Sequence, residues 1–450
     1  MSVFSFLRRN LVEPLWTVRS NSPIIKYWQV LERSQFYREE QLSAFQWHRV
    51  KMLLDYAYNN NIYYRQVFDR LDLQPQDVNS YDDFRKLPVL TKKEIRHSGD
   101  LLISKGFEKG RLLEARTGGS TGKSVYLYYT EECSEQRNAC ERRHDRWSGW
   151  EVGEPKGCVW GNPKSPTTIK DKLKWILLSP LIFLDTMALT RDAVIGFARE
   201  WRRIKPTLLF GHAHSLYVLA QMLADHGIEG IEPRAIISSS MMLLPHERVL
   251  IEEVFGKRVF DRYGCEEVGL IASECEEHRG LHLNAENLFV EFLRQDGQPA
   301  SPGELGEIVV TDLGNMAMPF IRYRIEDMGI PSARKWPCGR GLPLMEEVTG
   351  RVADFLVTKD GSRIAGISLI ENTLTKIAEI EQMQIVQYDL DRILLRIVAD
   401  DDFRSQHRDA LLGFFHQTFG DVSVEVENVT EIQRESNGKY RFSICHVPQG

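Results

Sequence analysis

Apolar and aromatic residues recur at helical spacing from Glu39 to Phe68, with Leu42, Phe45, Val50, Leu53, Leu54 and Tyr58 on the stripe and the polar run Asn59–Asn61 as a stop. Leu71–Arg96 continues the helical character: Ser80 and Thr91 stand where caps belong, and Lys86–Lys92 (KLPVLTK) reads as a connector between two helices. Further on the period changes. Gly157–Trp160, Thr207–Phe210, Ala235–Ser239 and Arg258–Phe260 are short β-rich runs, and Asp192–Ile204, Ala213–His226 and Pro245–Phe255 are helical segments between them. Strands alternating with helices of this length predict parallel α/β packing. Glu131–Trp147 reads as a charged helix, and Leu288–Leu293 and Glu307–Thr311 read as strands about a turn at Gln295–Pro302. Past residue 350, helices at Ile364–Ile377 and Asp402–Phe419 alternate with strands at Gln384–Val386, Ile393–Val398 and Val422–Val426, a small α+β pattern.

Length and composition narrow the class. At 450 residues the chain exceeds one simple core, and its 42% hydrophobic and 27% charged content is that of a soluble globular protein. A net charge of −6 without a basic stripe predicts no nucleic-acid partner. Seven scattered cysteines fit reduced thiols and a cytoplasmic location. The most hydrophobic window, Trp175–Leu184, is far shorter than the roughly 20 residues of a membrane helix and contains Pro180, so it reads as buried core. Phe4, Phe6, Leu7, Leu11 and Trp16 lie near basic residues, but membrane contact is not expected from them.

The densest chemistry lies in Thr117–Gly118–Gly119–Ser120–Thr121–Gly122–Lys123–Ser124. Glycines let backbone N–H groups approach a ligand, hydroxyls add donors, and Lys123 adds a point charge. The pattern suits phosphate oxygens, although alone it is matched by a Gly/Ser-rich hairpin turn. A Walker A loop is excluded, because its first glycine would fall at Thr117 and the following Val125–Tyr129 reads as a strand rather than a helix. The stretch resembles instead the T-S-G-S/T-T-G-K-P loop of the adenylate-forming superfamily, with Gly119 and Ser124 as departures.

Later segments carry the resemblance onward in the family's order. Asp261–Glu267 (DRYGCEE), expected just after a parallel strand, is similar to Y-G-x-T-E; the resemblance implies that Tyr263 lies near adenine and Glu267 holds Mg²⁺. Ser238–Met241 stands where relatives often have Ser-Gly-Glu, with Met241 in the acidic position. Met318–Asp327 (MPFIRYRIED) is similar to M-P-[LF]-I-R-Y-R-T-G-D, which makes Asp327 the implied ribose ligand; a carboxylate accepts two hydroxyl bonds well. Gly350–Asp354 (GRVAD) resembles the G-R-x-D-D hinge, implying a nucleotide contact for Arg351, with Ala353 replacing the first Asp. Gly438–Arg441 matches G-K-x-R, whose lysine, here Lys439, serves adenylation. Tyr63–Arg65 and Lys86–Lys92 resemble the opening of phenylacetate–CoA ligases and CapK-type capsule proteins.

The resemblance implies an α/β chain with a large adenylate-forming domain of mixed sheets and helices, residues 1–350, and a small mobile α+β domain, residues 351–450. It implies ATP-dependent activation of a small carboxylic acid as an acyl adenylate, then transfer to an acceptor. A thiol such as CoA or a carrier-protein pantetheine is the family's commonest choice. An amine or sugar hydroxyl in capsule synthesis, or a degenerate binder without turnover, stands as the alternative, and a homodimer is left open. His212 and His214 read either as lining the acid pocket or as polar helix-start residues. Some relatives carry structural zinc, and Cys275, His282 and Cys338 align with its ligands, Trp336 replacing a further cysteine; leftover cysteines in a β-rich region are the alternative.

Overall fold

In the computed structural model the helical stretch over Glu39–Phe68 is two helices, Glu39–Asn60 and Ile62–Arg70. Asn61 divides them: its backbone is extended (φ −118°) and its side chain accepts from the Tyr64 N–H at 3.2 Å, capping the second helix. The same amide donates to the Leu102 carbonyl at 2.7 Å, so the break is buried and fully bonded. Ser80 and Thr91 cap the next two helices as expected, accepting from the N–H groups of Asp83 and Glu94. The structure describes residues 3–116, 125–161, 173, 177–178, 180–187, 189–294, 296–334, 337–349, 351–353, 355–377, 379–400, 402–432 and 440–447.

An eleven-stranded sheet organises the chain up to residue 349. Five strands form its parallel half, in the order β4 (Leu181–Asp185), β3 (Lys156–Trp160), β5 (Leu208–His212), β6 (Ala235–Ser239) and β7 (Val259–Cys265). The hydrophobic window before Asp185 thus supplies an edge strand of this half. From β7 the sheet turns antiparallel through β8 (Gly269–Glu274), β9 (Leu281–Leu283), β13 (Leu344–Thr349), β12 (Tyr323–Ser332), β11 (Gly306–Asp312) and β10 (Leu288–Leu293). Strand β7 therefore belongs to both halves. It is longer than its predicted core Arg258–Phe260, because Asp261–Cys265 continue into a hairpin with β8 instead of leaving the sheet as a loop.

A separate pair, β1 (Leu113–Arg116) and β2 (Tyr126–Tyr129), is antiparallel, with Arg116 opposite Tyr126. The Thr117–Ser124 loop joins these two strands and lies outside the described residues.

Beyond residue 350 a five-stranded sheet runs β14 (Arg351–Ala353), β20 (Tyr440–Cys445), β17 (Ile380–Gln387), β18 (Arg392–Ala399) and β19 (Ser423–Asn428). A small hairpin, β15 (Phe355–Val357) with β16 (Arg363–Ala365), precedes the helix Gly366–Lys376, and Ser405–Phe419 forms another helix. The mixed α/β class holds for the whole chain. One apolar cluster spans Val159, Trp201 and Leu216 as well as Leu356, Ile370 and Phe415, and the Ala365 N–H donates to the Thr186 carbonyl at 3.0 Å. A second cluster joins Leu53, Phe68 and Leu90 to Ile308, Phe320 and Tyr323.

Candidate functional site

The β7–β8 hairpin carries the Asp261–Glu267 motif where the parallel half of the sheet gives way to the antiparallel half. The register slips between Tyr263 and Gly264, and a Cβ at Gly264 would come 2.7 Å from the Gly269 carbonyl oxygen. Only glycine lets the two strands close there. The tight turn that follows puts Glu266 in solvent and buries Glu267, whose Oε1 accepts from the Tyr323 hydroxyl at 2.9 Å. Burial, with Glu267 beside it, pushes the Tyr323 phenol well above its usual range, so it stays a donor. Upstream, Ser238 Oγ donates to Asp261 at 2.8 Å, and Met241 sits in the apolar cluster rather than facing solvent as a carboxylate would. Burial, then Glu274, raises the Asp261 carboxyl to about 7.

Strand β12 is itself irregular. Val309 pairs with Arg324 and Glu307 with Met328, so Ile325–Asp327 form a bulge in the register. Glu326 in that bulge has φ +76°, a left-handed backbone at the position where the resembling motif has Gly. The bulge brings Asp327 to Tyr263, whose hydroxyl donates to Oδ2 at 3.0 Å. Glu326 is held from the other side by Lys92, nearly fully buried, at 3.0 Å. Two hydrogen bonds, Tyr263 to Asp327 and Tyr323 to Glu267, therefore tie together two segments some sixty residues apart.

Both N-terminal motifs dock on this same segment. The Leu90 N–H donates to the Arg322 carbonyl, and the Arg324 N–H donates to the Leu90 carbonyl, each at 2.9 Å. Arg322 (φ +55°) forks onto Glu291, at 3.1 Å through both Nε and Nη2, and donates to the carbonyls of Arg85 and Leu87. Tyr64 accepts from the Ile321 N–H at 2.9 Å and donates to the Pro319 carbonyl at 3.1 Å. KLPVLTK and the Tyr-Tyr-Arg segment thus act as a clamp that positions β12.

A residue missed in the sequence joins the remaining parts. Arg137, in the helix Glu131–Trp147, donates to the Glu267 carbonyl at 2.8 Å and to Asp312 at 2.9 Å, and its guanidinium lies 4.9 Å from the Tyr129 ring centroid. It ties the hairpin that carries the predicted phosphate loop to the turn that carries Glu267. The helical period could not have marked it, because it looks like any charged position of that helix. The loop residues Thr117, Gly118, Gly119, Ser120, Thr121, Gly122 and Lys123, and also Lys439, lie outside the described residues. The backbone of Arg351 is opposite Tyr440 in the parallel β14–β20 pair, so the sheet sets it beside the residue that follows Lys439.

The two histidines part company. His212 ends β5 fully buried, its ring centroid 3.7 Å from that of Trp160, and Nε2 has no hydrogen-bond partner among the described residues. Burial lowers its pKa to about 3, so it is a neutral imidazole at the C-terminal end of the parallel strands. His214 instead pairs with buried Glu247 and stacks on Tyr217.

Cys275, His282 and Cys338 lie together in the structure. Their donor atoms all lie within 4.8 Å of one another, and Cys338 Sγ is 3.4 Å from His282 Nε2. Burial lowers His282 to about 4, leaving the neutral ring a metal needs. Burial raises the Cys275 thiol to about 12. Two thiols and one imidazole at this spacing fit three of the four donors of a closed zinc site.

Residues 356–446 match the CapK C-terminal domain. Protein CapK of Staphylococcus aureus is 24% identical over 408 residues, covering 89% of this chain and 88% of its own length. Phenylacetate-coenzyme A ligase of Aromatoleum evansii is 26% identical over 390 residues, covering 80% and 81%. Among solved structures, 2-hydroxyisobutyryl-CoA ligase in complex with 2-HIB-AMP and CoA shares the fold, with a TM-score of 0.62, 19% identity, and 92% and 91% of the two chains covered. No helix among the described residues is long and apolar enough to cross a membrane.

Proposed function

The chain belongs among the adenylate-forming relatives of CapK and phenylacetate–CoA ligase, and from that premise we propose that it activates a carboxylic acid with ATP and passes the acyl group to CoA. The observation that carries the reading is the pair of hydrogen bonds, Tyr263 to Asp327 and Tyr323 to Glu267, that joins the β7–β8 hairpin to β12. In this reading Asp327 takes the ribose hydroxyls and Tyr263, lying by the adenine, fixes its carboxylate. Arg137 holds the turn that presents Glu267. Residues 117–124 offer N–H and hydroxyl donors to the phosphates, and Arg351 and Lys439 bring positive charge to them. A bound Mg²⁺, with Glu267 as its protein ligand, would neutralise further phosphate charge.

A carboxylate oxygen of the acid attacks the α-phosphorus, and pyrophosphate leaves. The thiol sulfur of CoA then attacks the acyl carbonyl, AMP leaves, and the thiol proton is released. A thiol is the acceptor we propose because the relatives include CoA ligases by name. We place the division between the large and small units at residues 350 and 351, where the central sheet ends and the five-stranded sheet begins. We also assign a structural zinc to Cys275, His282 and Cys338. Trp160 and His212 are the proposed wall of the acid pocket.

Carboxylate-dependent pyrophosphate release over a panel of acids, with and without CoA, tests the function. Release with at least one acid, lost in Lys439→Ala while ATP still binds within severalfold, is the expected result. Normal turnover in Lys439→Ala, or none with any acid, would overturn the reading.

A further inference from the structure

The helices Val3–Leu7 and Glu13–Ser20, joined by a π-turn over Arg8–Val12, carry their polarity inside out. Facing the body are Ser5 and Thr17, both buried, and three charged residues with partners there. Arg9 pairs with Glu151 at 2.8 Å, Arg8 donates to the Gly153 carbonyl at 3.3 Å, and Glu13 pairs with Arg142. The seat is close: at Gly153 (φ +86°) a Cβ would lie 2.8 Å from the Ser5 carbonyl oxygen and 2.9 Å from Arg8 Cβ. The helix is therefore docked by polar contacts.

Its apolar side faces out. Val3, Phe4, Leu7, Leu11, Leu15 and Val18 form a continuous stripe, with Phe4 72%, Leu15 62% and Val18 81% exposed. A helix that covers a soluble core turns such a stripe inward. A contiguous exposed apolar surface of this kind marks an interaction site.

Charge selects the occupant. The first helices, from Val3 to Ser34, hold five basic residues against two acidic ones, within a chain of net charge −6. Both acids are already paired, Glu13 with Arg142 and Glu32 with Arg146. Arg19, Lys26 and Arg33 are exposed. A second copy of the chain would set this basic region against itself, whereas an anionic bilayer complements it.

We propose that the Val3–Ser20 helix docks this protein on an anionic lipid surface, lying in the interface with its apolar stripe at the boundary of headgroups and acyl chains. From the residues alone, Phe4, Phe6, Leu7, Leu11 and Trp16 beside basic residues suggest membrane contact without making it the expected reading; what changes is the direction of the stripe, which only the packing of Ser5, Arg9 and Glu13 reveals. Attachment is peripheral, because no described helix can span.

Co-sedimentation of the full chain with phosphatidylcholine vesicles, with and without phosphatidylglycerol, tests it. The protein is expected to sediment with the anionic vesicles and about tenfold or more weakly with the neutral ones. Leu7→Glu/Leu11→Glu/Leu15→Glu should lose binding by about tenfold or more, since three leucines that would enter the bilayer are replaced by charge. These positions are already in water, so circular dichroism and acid-dependent pyrophosphate release should be unchanged. Two results would overturn the proposal: no binding to anionic vesicles, or unchanged binding by the variant. Light scattering that finds a dimer in the parent and a monomer in the variant, without vesicle binding, would assign the stripe to a second copy.

Discussion

The Tyr263 hydroxyl donates to Asp327 Oδ2 at 3.0 Å, bridging the β7–β8 hairpin and the bulge of β12. Asp327 is thus held by one donor before any nucleotide arrives. Two ribose hydroxyls bonded to a charged acceptor are each worth on the order of 1.5–3 kcal/mol. Asp327→Ala should weaken ATP by at least about tenfold and hardly alter a 2′,3′-dideoxy analogue. Tyr263→Phe keeps the ring and loses the donor, so its effect on ATP should be only severalfold. Calorimetric titration of both nucleotides checks this; equal weakening of the two by Asp327→Ala would mean that the residue acts through folding.

The Lys92–Glu326 pair is lopsided, with Lys92 only 3% exposed and Glu326 25%. Removing the acid strands a buried ammonium, and removing the lysine leaves a carboxylate that reaches water. Glu326→Gln should cost about 2–4 kcal/mol, discounted from a fully buried pair because Glu326 is part-exposed. Lys92→Met should cost distinctly less. In the Lys92→Met background Glu326→Gly should be more stable than Glu326→Ala by roughly 1 kcal/mol, since glycine relieves the left-handed backbone. Urea unfolding of the set measures each value, and equal costs for the two single variants would contradict the account.

His212 supplies a pH signature. Its folded pKa of about 3 lies below the unfolded value of about 6.5. As pH falls below 6.5 the unfolded chain takes the proton first, so stability is lost down toward pH 3. Asp261, raised to about 7, acts the other way: its contribution is full below about 4 and lost as pH rises toward 7. The comparison with His212→Leu separates the two. Between pH 7 and 5 the parent should lose on the order of 2 kcal/mol relative to that variant. A difference independent of pH would show that the imidazole reaches solvent when charged.

For Cys275, His282 and Cys338 the expected result is near-stoichiometric zinc by elemental analysis of the purified protein, lost on Cys338→Ser with a fall in melting temperature. Chelator should lower the melting temperature of the parent and leave the variant unchanged. Zinc-free parent protein of the same stability would leave the cluster without a metal role.

Much of this arrangement was legible in the residues. Four of the five parallel strands announced themselves as short β-rich runs between helices, because burial on both faces demands it, whereas β4 was legible only as a hydrophobic window. Ser80 and Thr91 announced their helices by local bonding. Strands β8, β9 and β13 did not, and for Leu281–Leu283 the reason is that three residues cannot display a period. The roles of Arg137 and of Lys92, named only as the end of the KLPVLTK motif, were hidden for another reason. Each looks like a surface charge in its own helix, and only partners more than a hundred residues away bury it. The outward stripe on Val3–Ser20 was visible as a pattern, but its direction depends on what lies beneath it.

The clamp on β12 has a consequence for synthesis. Tyr64 must wait for Pro319 and Ile321, which lie 255 and 257 residues further along the chain. At 5–20 residues per second that is roughly 13–50 s of translation, far longer than helices take to form. Throughout that time Tyr64, Phe68 and Leu90, all interior in the finished protein, lack the Met318–Ile325 segment that completes their cluster. The nascent chain is therefore a long-lived client for whatever shields apolar surface at the ribosome. A message truncated before residue 318 should yield an insoluble product, however well formed its helices are.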